Sequence, residues 1–301
     1  MDTAFHSPRV RHAGFAGSWY PLDATELESF LEISLQEAKD RELQKGSFYP
    51  EGRFAILPHA GLSFSQRGIA PFFLHFPPQA ERVLIIAPSH YTSLYSDELS
   101  VGSFDEYETP LGNLKGFSLS FGIKGGERAI QSEHAVEMVM PYLAWVVKTR
   151  KQELAVSTAL VSHLSDCSKA KEIAHRLIDN LGEESLRSGK TLVIASSDFT
   201  HYGRRFAHTP YENNLPRAIF NRVKEDDLAL SALLIDGNIK EALAFCENHH
   251  STVCGLASGA IVATLATCFN AKGTLSEYYT SNDVFENEED EFVTYSSIIW
   301  S

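Results

Sequence analysis

The sequence is short of cysteine, of long apolar runs and of positive charge. Its 301 residues include four cysteines, none with CxxC spacing, at positions 167, 246, 254 and 268. Sparse, scattered cysteines disfavour a disulfide framework and fit a reducing compartment. No apolar stretch approaches the roughly 20 residues that a membrane-spanning helix needs, and the first residues, MDTAFHSPRVRHAGF, lack the long apolar segment of a secretory signal. We therefore predict a cytoplasmic protein with no membrane span.

Positive charge is scarce relative to negative charge. The chain has 26 basic and 39 acidic residues, which gives a formal net charge of −13. Such a chain is a poor partner for nucleic acid or for an anionic membrane. Hydrophobic residues make up 44% and charged residues 22%, as in globular proteins. Because no repeat, linker or shift in composition divides the sequence, we predict one domain over residues 1–301, with a flexible start at residues 1–10.

Short apolar segments alternate with amphipathic segments along the chain. The predicted strands are residues 53–58, 82–88, 155–162, 191–196 and 292–300, and the predicted helices are residues 24–40, 127–148, 168–181, 217–235 and 255–269. The first four strands are almost continuously apolar, which is typical of strands buried on both faces of a parallel sheet. The sequence therefore predicts an α/β fold, with a central, mainly parallel sheet flanked by helices on both faces.

Three of these strands are followed by residues that can carry chemistry. His59 follows the first strand, His90 follows the second, and the fourth runs into SSDFTHYG, which contains Asp198 and His201. Open α/β sheets bind ligands at the carboxyl ends of their strands. If the strands are parallel, these side chains share one edge of the sheet and form a site. The alternative is that each is a loop residue with satisfied hydrogen bonds.

Two further segments contribute candidates. In SEHAVEMVMPY, His134 and Glu137 are three residues apart, which places them on one face of the predicted helix, where the carboxylate can orient the imidazole. The alternative is an ordinary ion pair on an amphipathic helix. In HHSTVCGLASGA, Cys254 stands at the start of a predicted helix capped by Ser251 or Thr252, and a helix N-terminus favours the thiolate that binds metal. The alternative there is a small buried residue at a Cys-Gly turn.

Six motifs stand in an order and spacing that resembles the Memo-like family. They are AGSWYP at 16–21, PHAG at 58–61, PSH at 88–90, EHAVEMVMPY at 133–142, SSDFTHYG at 196–203 and TVCG at 252–255. Together they cover the chain from about residue 11 to its end. The resemblance implies a fold similar to that of the class III extradiol ring-cleaving dioxygenases, with a metal-site pocket at one edge of the sheet.

The resemblance also implies a metal site. His59 and His90 correspond to the two metal-binding histidines, and Cys254 stands where the dioxygenases have a metal-binding glutamate. Two histidines and a carboxylate are typical ligands of non-haem iron(II). A thiolate is softer, shifts the preference towards copper or zinc, and can itself be oxidised. We therefore predict copper or iron(II) as the cofactor, with zinc as a further option.

Catalytic and substrate-binding roles follow from the same resemblance and from the strand-end pattern. His201 corresponds to the acid–base histidine of the dioxygenases, with Asp198 beside it, and Trp19 lies at the mouth of the pocket. The predicted catalytic residues are His201, Asp198, His134 and Glu137, and the predicted substrate-binding residues are Trp19, Ser197 and Phe64. The chain departs from the family in the segment LSFS after PHAG, which lacks the tyrosines common there, and at Tyr91, where a second histidine is common.

Three function classes remain open. The first, which we favour, is a metal-dependent redox protein or oxygenase acting on a small molecule, with His201 moving protons. The second is a hydrolase, in which the same ligands hold zinc and activate water, or in which Cys254 is a nucleophile without metal. The third is a module that binds a short peptide or a phosphorylated tyrosine of a signalling protein, with Arg204 and Arg205 as cations. The substrate and the oligomeric state stay open.

Overall fold

The structure is a computed structural model that describes residues 7–46, 48–285 and 291–301. Residues 1–6 of the predicted flexible start lie outside the described residues, whereas Val10 at its end begins the first strand. The described strands are β1 (Val10–Arg11), β2 (Phe54–Leu57), β3 (Arg82–Pro88), β4 (Ser100–Val101), β5 (Glu106–Tyr107), β6 (Leu114–Gly116), β7 (Ala155–Val161), β8 (Thr191–Ser196), β9 (His201–Tyr202), β10 (Gly273–Thr280) and β11 (Phe292–Trp300). The described α-helices are α1 (Ala24–Lys45), α2 (Leu62–Leu74), α3 (Glu127–Ser132), α4 (Met140–Arg150), α5 (Cys167–Leu181), α6 (Glu183–Arg187), α7 (Pro216–Ile235), α8 (Ile239–Asn248) and α9 (Leu256–Cys268).

The strands form one mixed sheet in the order β1-β5-β6-β7-β3-β8-β2-β11-β10, with β4 beside β7 and β9 beside β11. The five central strands, from β6 to β2, run parallel to one another. Strands β11 and β10 extend the sheet beyond β2 in antiparallel pairing. The predicted α/β fold is confirmed, with parallel pairing in the centre of the sheet. The sequence pattern missed β10, GTLSEYYT, because its glycine, serine and glutamate dilute the apolar signal.

Two hydrophobic cores lie on the two faces of the sheet. Along β2, Ala55 and Leu57 pack into a core with α1, α2 and α4, whereas Phe54 and Ile56 pack into a core with α5, α7, α8 and α9. Adjacent residues of a strand point to opposite faces, so a strand with a core on each side must be apolar throughout. None of the described helices combines the length and the hydropathy that crossing a membrane requires.

The helix predicted over residues 127–148 is interrupted by a turn at residues 133–139, between α3 and α4. The backbone of Glu133 is extended, with φ −94° and ψ 121°, and its carboxylate accepts the N–H of Ala135 at 3.1 Å. These features end α3. Pro141 lies in the first turn of α4, where its missing N–H is tolerated, and so favours a new helix start. The prediction of one continuous helix is wrong, and side chains within the turn do not follow helical spacing.

Candidate metal centre

The carboxyl ends of three parallel strands meet at one edge of the sheet. β2 and β8 pair with Leu57 opposite Ser196, and β8 pairs with β3 on its other side. The residues that follow these strands therefore start from neighbouring positions. The imidazole rings of His59 and His90 approach each other, with centroids 5.1 Å apart. Two residues 31 positions apart in the sequence thus share one site because of parallel pairing.

Cys254 reaches this edge because the chain before α9 approaches β8 closely. A Cβ atom added to Gly255 would lie 2.3 Å from the carbonyl oxygen of Ser196, so only glycine fits there. The Cys254 Sγ lies 3.1 Å from the Nε2 of His59. One ligand atom each from His59, His90 and Cys254 can be chosen such that all three lie within 4.8 Å of one another. The structure brings the three predicted metal ligands together.

Hydrogen bonds orient His59 so that its Nε2 faces Cys254. The His59 Nδ1 lies 2.8 Å from the Ser196 Oγ, and that hydroxyl donates its proton to the Ala135 carbonyl at 2.7 Å. The hydroxyl can therefore only accept from the imidazole, which places a proton on Nδ1 and leaves a lone pair on Nε2. Burial lowers the pKa of His59 to about 3, so the ring is neutral at neutral pH. Neutral imidazole is the form that binds metal.

A carboxylate that the sequence pattern did not reveal holds His90. Glu133, which is 1% exposed, accepts the backbone N–H of His90 at 2.7 Å and lies 2.9 Å from its Nδ1. The same carboxylate lies 3.1 Å from the Nδ1 of His134. Burial alone would raise the pKa of Glu133, but the hydrogen bonds from His134 and His90 outweigh it and hold that pKa well below its usual range. Glu133 is thus an anion that occupies the Nδ1 side of both rings.

Glu137, predicted as a catalytic partner of His134, holds the N-terminal segment instead. Its side chain is fully buried. Its carboxylate accepts hydrogen bonds from four groups of residues 11–20, the N-terminal strap: Arg11 Nη1, Gly14 N, Phe15 N and Tyr20 Oη. The predicted pairing of Glu137 with His134 does not form, because residues 133–139 form a turn, in which a spacing of three does not align side chains. The usable signal was the direct adjacency of Glu133 and His134 in the motif EHAVE.

A cavity of about 590 Å³ opens beside the metal ligands. Its ring-bearing lining residues are Trp19, His59, Phe64, His90, His134, His201, Phe206, Phe285, Phe292 and Tyr295. Trp19, on the N-terminal strap, packs against His134 with ring centroids 4.4 Å apart. Trp19 and Phe64 therefore lie where their predicted contact with a substrate requires. The volume is that of a site for a small organic molecule.

Ser197, predicted to contact a substrate, has a structural position. It is 1% exposed, its Oγ donates to the Asp198 carbonyl at 2.8 Å, and it accepts the N–H of Gly255 at 3.1 Å. Its side chain thus faces the segment that carries Cys254, and it is absent from the described lining of the cavity. The hydroxyl therefore holds that segment at the end of β8, and a contact of Ser197 with a substrate stays a prediction.

Asp198 and His201 both line the cavity, as predicted for catalytic residues. The Asp198 Oδ1 accepts the backbone N–H of His59 at 2.8 Å, and its Oδ2 lies 4.0 Å from the His59 Nε2. The His201 Nδ1 lies 3.0 Å from the Phe199 carbonyl and 3.2 Å from the Thr252 carbonyl. A carbonyl oxygen only accepts, so Nδ1 carries the proton and Nε2 is free to accept one. His201 therefore has the tautomer of a proton acceptor.

The expected stabilisation of a Cys254 thiolate by a helix N-terminus is not found. Helix α9 begins after Gly255, which has no side-chain cap, and the Thr252 Oγ1 accepts the N–H of His201 at 2.8 Å instead of capping the helix. Burial, reinforced by the negative charge of Asp198, raises the pKa of the Cys254 thiol. The metal-free protein therefore carries a neutral thiol at neutral pH, and a bound metal must displace its proton.

The chemistry of His59, His90 and Cys254 fits a metal ion. They offer two imidazole nitrogens and one sulfur, and each imidazole is held at Nδ1 by a hydrogen-bonding side chain. Histidine ligands of metals are usually anchored in this way at their second nitrogen. Ligand atoms of His90, Glu133 and His134 also lie within 4.8 Å of one another. In this second group the Nδ1 atoms already bind the carboxylate.

Known proteins resemble the chain over nearly its whole length. The sequence model of the Memo-like protein family matches residues 11–299. Protein MEMO1 of Homo sapiens and protein MEMO1 of Xenopus tropicalis are each 27% identical to the chain over 300 residues, which cover 95% of the chain and 96% of the relative. MEMO1 family protein MHO1 of Saccharomyces cerevisiae is 31% identical over 219 residues, or 67% of the chain and 62% of that protein. The family match includes every residue of the candidate metal centre.

Proposed function

The chain belongs to the Memo-like protein family, and from that premise we propose that it is a metal-binding protein whose mononuclear site is formed by His59, His90 and Cys254. The observation that carries the proposal is the convergence of the three ligand atoms within 4.8 Å. Both imidazoles have a hydrogen-bonding partner at Nδ1, which leaves Nε2 of each ring available as the ligand atom. The thiol of Cys254 is the third ligand once its proton has left.

We propose copper or iron as the metal, and a redox or oxygenase-type reaction on a small organic substrate. A thiolate beside two imidazoles suits copper, and two histidines with one anionic ligand also suit iron(II). The bound ion would supply the electron-transfer chemistry that protein side chains lack. Zinc is the further option for the same ligands. The similarity of the fold to ring-cleaving dioxygenases stays a prediction.

His201 is the residue that we propose moves the substrate proton. It lines the cavity, and its Nδ1 is held by two backbone carbonyls at 3.0 and 3.2 Å. These contacts fix the ring, so the free Nε2 is held ready to accept a proton from a bound molecule. Asp198 supports the site differently: it accepts the backbone N–H of His59 at 2.8 Å and thereby holds that ligand's main chain.

The cavity walls favour a small molecule with an apolar body. Trp19 and Phe64 contribute rings to the wall beside the metal ligands. These rings exclude water from the reacting atoms, and the histidines and Asp198 are the polar groups beside the proposed metal. Ser281 and Asn282 also line the cavity and offer side-chain hydrogen bonds. A substrate with an apolar body and a polar group for the metal fits these features.

A metal-free cysteine hydrolase is a weaker candidate. The Cys254 Sγ lies 3.1 Å from the His59 Nε2, a separation that a nucleophile and its base also show. Burial, however, raises the pKa of that thiol and lowers the pKa of His59 to about 3. Proton transfer from the thiol to the imidazole is therefore unfavourable, which argues against an activated nucleophile in the metal-free protein.

A module for phosphorylated tyrosine is also a weaker candidate. Phosphate recognition needs a free guanidinium or ammonium group. Arg205 lines the cavity, but its guanidinium lies 3.9 Å from the carboxylate of Glu291, and its backbone N–H donates to that carboxylate at 3.0 Å. Asp198 adds a further negative group to the wall. Binding of an uncharged short peptide stays an alternative, because the aromatic walls suit it equally.

Elemental analysis of protein purified without a metal-affinity tag tests the proposal. We expect about one equivalent of copper or iron in the wild type, as a mononuclear site requires. The Cys254→Ala variant should lose it, because the site then has only the two histidines. Cys268→Ala is the matched control, since that thiol is exposed and outside the site, and it should retain the metal.

Two results would contradict the proposal. One is full metal content in Cys254→Ala, which would remove Cys254 from the ligands. The other is no copper or iron in the wild type even after anaerobic loading, which would leave a binding pocket without a metal. Zinc in the wild type, lost in the same variant, would keep the three ligands and move the reaction to hydrolysis.

A further inference from the structure

Glu133 has both carboxylate oxygens engaged. Its Oε2 accepts the backbone N–H of His90 at 2.7 Å. Its Oε1 lies 2.9 Å from the His90 Nδ1, 3.1 Å from the His134 Nδ1 and 3.1 Å from the N–H of Ala135. The two imidazoles it contacts lie side by side, with ring centroids 4.6 Å apart. One buried carboxylate thus stands between two histidines of the cavity wall.

These contacts determine which nitrogen of each ring carries the proton. An ionised carboxylate accepts hydrogen bonds and donates none. A bare Nδ1 at 2.9 or 3.1 Å would place two lone pairs against each other, so contact is favourable only when Nδ1 is protonated. The Tyr91 hydroxyl, 3.0 Å from the His134 Nδ1, can accept from the same N–H. Whenever one of these rings carries a single proton, its lone pair therefore belongs to Nε2.

We propose that Glu133 is a positioning residue that fixes the Nδ1–H tautomer of His90 and of His134 at the same time. In His90 this tautomer offers Nε2 to the metal of the proposed function, on which this part of the inference rests. In His134, which lines the cavity beside Trp19, it leaves Nε2 able to accept a proton. The wall then has a second proton acceptor besides His201.

The same atoms do not serve as a second metal site. Ligand atoms of His90, Glu133 and His134 lie within 4.8 Å of one another. A metal bound there through Nδ1 would have to displace both Nδ1 protons and both hydrogen bonds to the carboxylate. It would also remove the hydrogen bond that holds the Nδ1 of His90 and leaves its Nε2 available to the metal of the proposed function. In the hydrogen-bonded arrangement the Nδ1 atom of each ring and both oxygens of Glu133 have a partner.

The Glu133→Gln variant tests the inference on two readouts. Glutamine keeps the shape, but its amide nitrogen donates and cannot accept from a backbone N–H or an imidazole N–H. With zinc as a redox-silent probe in competition with a chelator, we expect an affinity about 10- to 100-fold lower than in the wild type. In two-bond ¹H–¹⁵N spectra of the metal-free protein, the wild type should show Nδ1–H at His90 and His134, and the variant a mixture of tautomers.

A matched control is a buried glutamate outside the described lining of the cavity. Glu42 is 4% exposed and lies 2.7 Å from the Nε2 of His75, while it also accepts the N–H of Tyr49 at 2.6 Å. It is therefore another buried glutamate with an imidazole and a backbone donor. Glu42→Gln should change the spectrum of His75 alone and leave zinc affinity unchanged. This control separates loss of the Glu133 contacts from a general cost of removing a buried charge.

Specific outcomes would overturn the inference. If the spectra of the metal-free wild type show Nε2–H and a bare Nδ1 at His90 or His134, the inference is wrong. This measurement needs no variant, so it decides the inference even if Glu133→Gln does not fold. Unchanged zinc affinity in a folded Glu133→Gln protein removes the effect on the metal. If the wild type binds neither zinc, copper nor iron, the proposed function fails, and the spectra alone decide the role of Glu133.

Discussion

Glu133 and Glu137 stand in the same turn of the chain, and both are buried, yet they stabilise different parts of the molecule. Glu133 is 1% and Glu137 0% exposed. Glu133 faces the Nδ1 atoms of two imidazoles, whereas Glu137 faces the guanidinium of Arg11. The comparison shows that residue type and burial do not determine a carboxylate's role. The group that the carboxylate contacts determines its role, namely two imidazoles for Glu133 and a guanidinium for Glu137.

The two carboxylates are connected through the N-terminal strap. Glu137 holds the strap by its backbone and by Arg11 and Tyr20. The strap carries Trp19, whose ring packs at 4.4 Å against His134, and His134 contacts Glu133. Loss of Glu137 should therefore mainly destabilise the fold, and loss of Glu133 should mainly alter the site. Three predictions follow from this contrast.

The largest effect is expected for Glu137→Ala. The change leaves the guanidinium of Arg11, 1% exposed, without its counter-ion. Removing one partner of a buried ion pair typically costs about 3–5 kcal/mol. We expect a loss of that size in the free energy of unfolding, measured by urea denaturation. Glu28→Ala is the control, because Glu28 forms an ion pair with Lys148 in which both side chains are partly exposed, and it should cost about 1 kcal/mol or less. Equal losses in both variants would contradict the contrast between the carboxylates.

For Gly255→Ala we expect a smaller loss of stability than for Glu137→Ala but a larger loss of metal affinity. The added Cβ would lie 2.3 Å from the Ser196 carbonyl, so the segment carrying Cys254 must shift. Overpacking of this kind costs about 1–3 kcal/mol, and the displaced thiol should weaken metal binding in a competition assay. Gly14→Ala is the control, because its Cβ would approach nothing closer than 3.9 Å. Wild-type affinity in Gly255→Ala would show that the close approach does not position Cys254.

The smallest effect concerns a third buried carboxylate, Asp227, which extends the comparison. It accepts hydrogen bonds from the hydroxyls of Thr200, Thr294 and Tyr278. Burial raises the pKa of Asp227 from 3.8 to about 6. The folded state therefore binds this proton more tightly than the unfolded state, so the stability it contributes is full below pH 4 and is lost as pH rises towards 6 and above.

Urea denaturation between pH 4 and 6 measures this effect. We expect the wild type to lose about 2 kcal/mol relative to Asp227→Asn over that interval, because asparagine does not titrate. Parallel stability curves for the two proteins would show that Asp227 keeps an ordinary pKa despite its burial.

Part of the candidate site was predictable because strand ends are visible in the sequence. The apolar runs before His59, His90 and Asp198 stop abruptly. Strands buried on both faces are almost continuously apolar, so their ends can be read from the sequence. The parallel pairing of β2, β8 and β3 then brings the following residues to one edge. The motif order gave the family as well, and the family match over residues 11–299 confirms it.

Other site residues have hydrogen-bonding partners far away in the sequence, which the local spacing of residues could not reveal. The spacing of three between His134 and Glu137 suggests a pair only in a helix, and the turn at residues 133–139 removes that helix. Glu137 instead forms an ion pair with Arg11, which is 126 residues away in the sequence. The hydroxyl of Ser197 accepts a hydrogen bond from the N–H of Gly255, which is 58 residues away. Neither partner could be recognised from the residues adjacent in the sequence.

The sequence by itself determined the alternation of strands and helices, the residues at the strand ends and the family. These depend on hydrophobic periodicity and on motif order, which are local properties of the chain. The tertiary structure alone decided that Glu133 rather than Glu137 contacts the histidines, and that Gly255 brings Cys254 against His59. Hydrogen bonds depend on distances of a few tenths of an ångström and on the direction of a proton. Only the packing of distant segments sets those quantities.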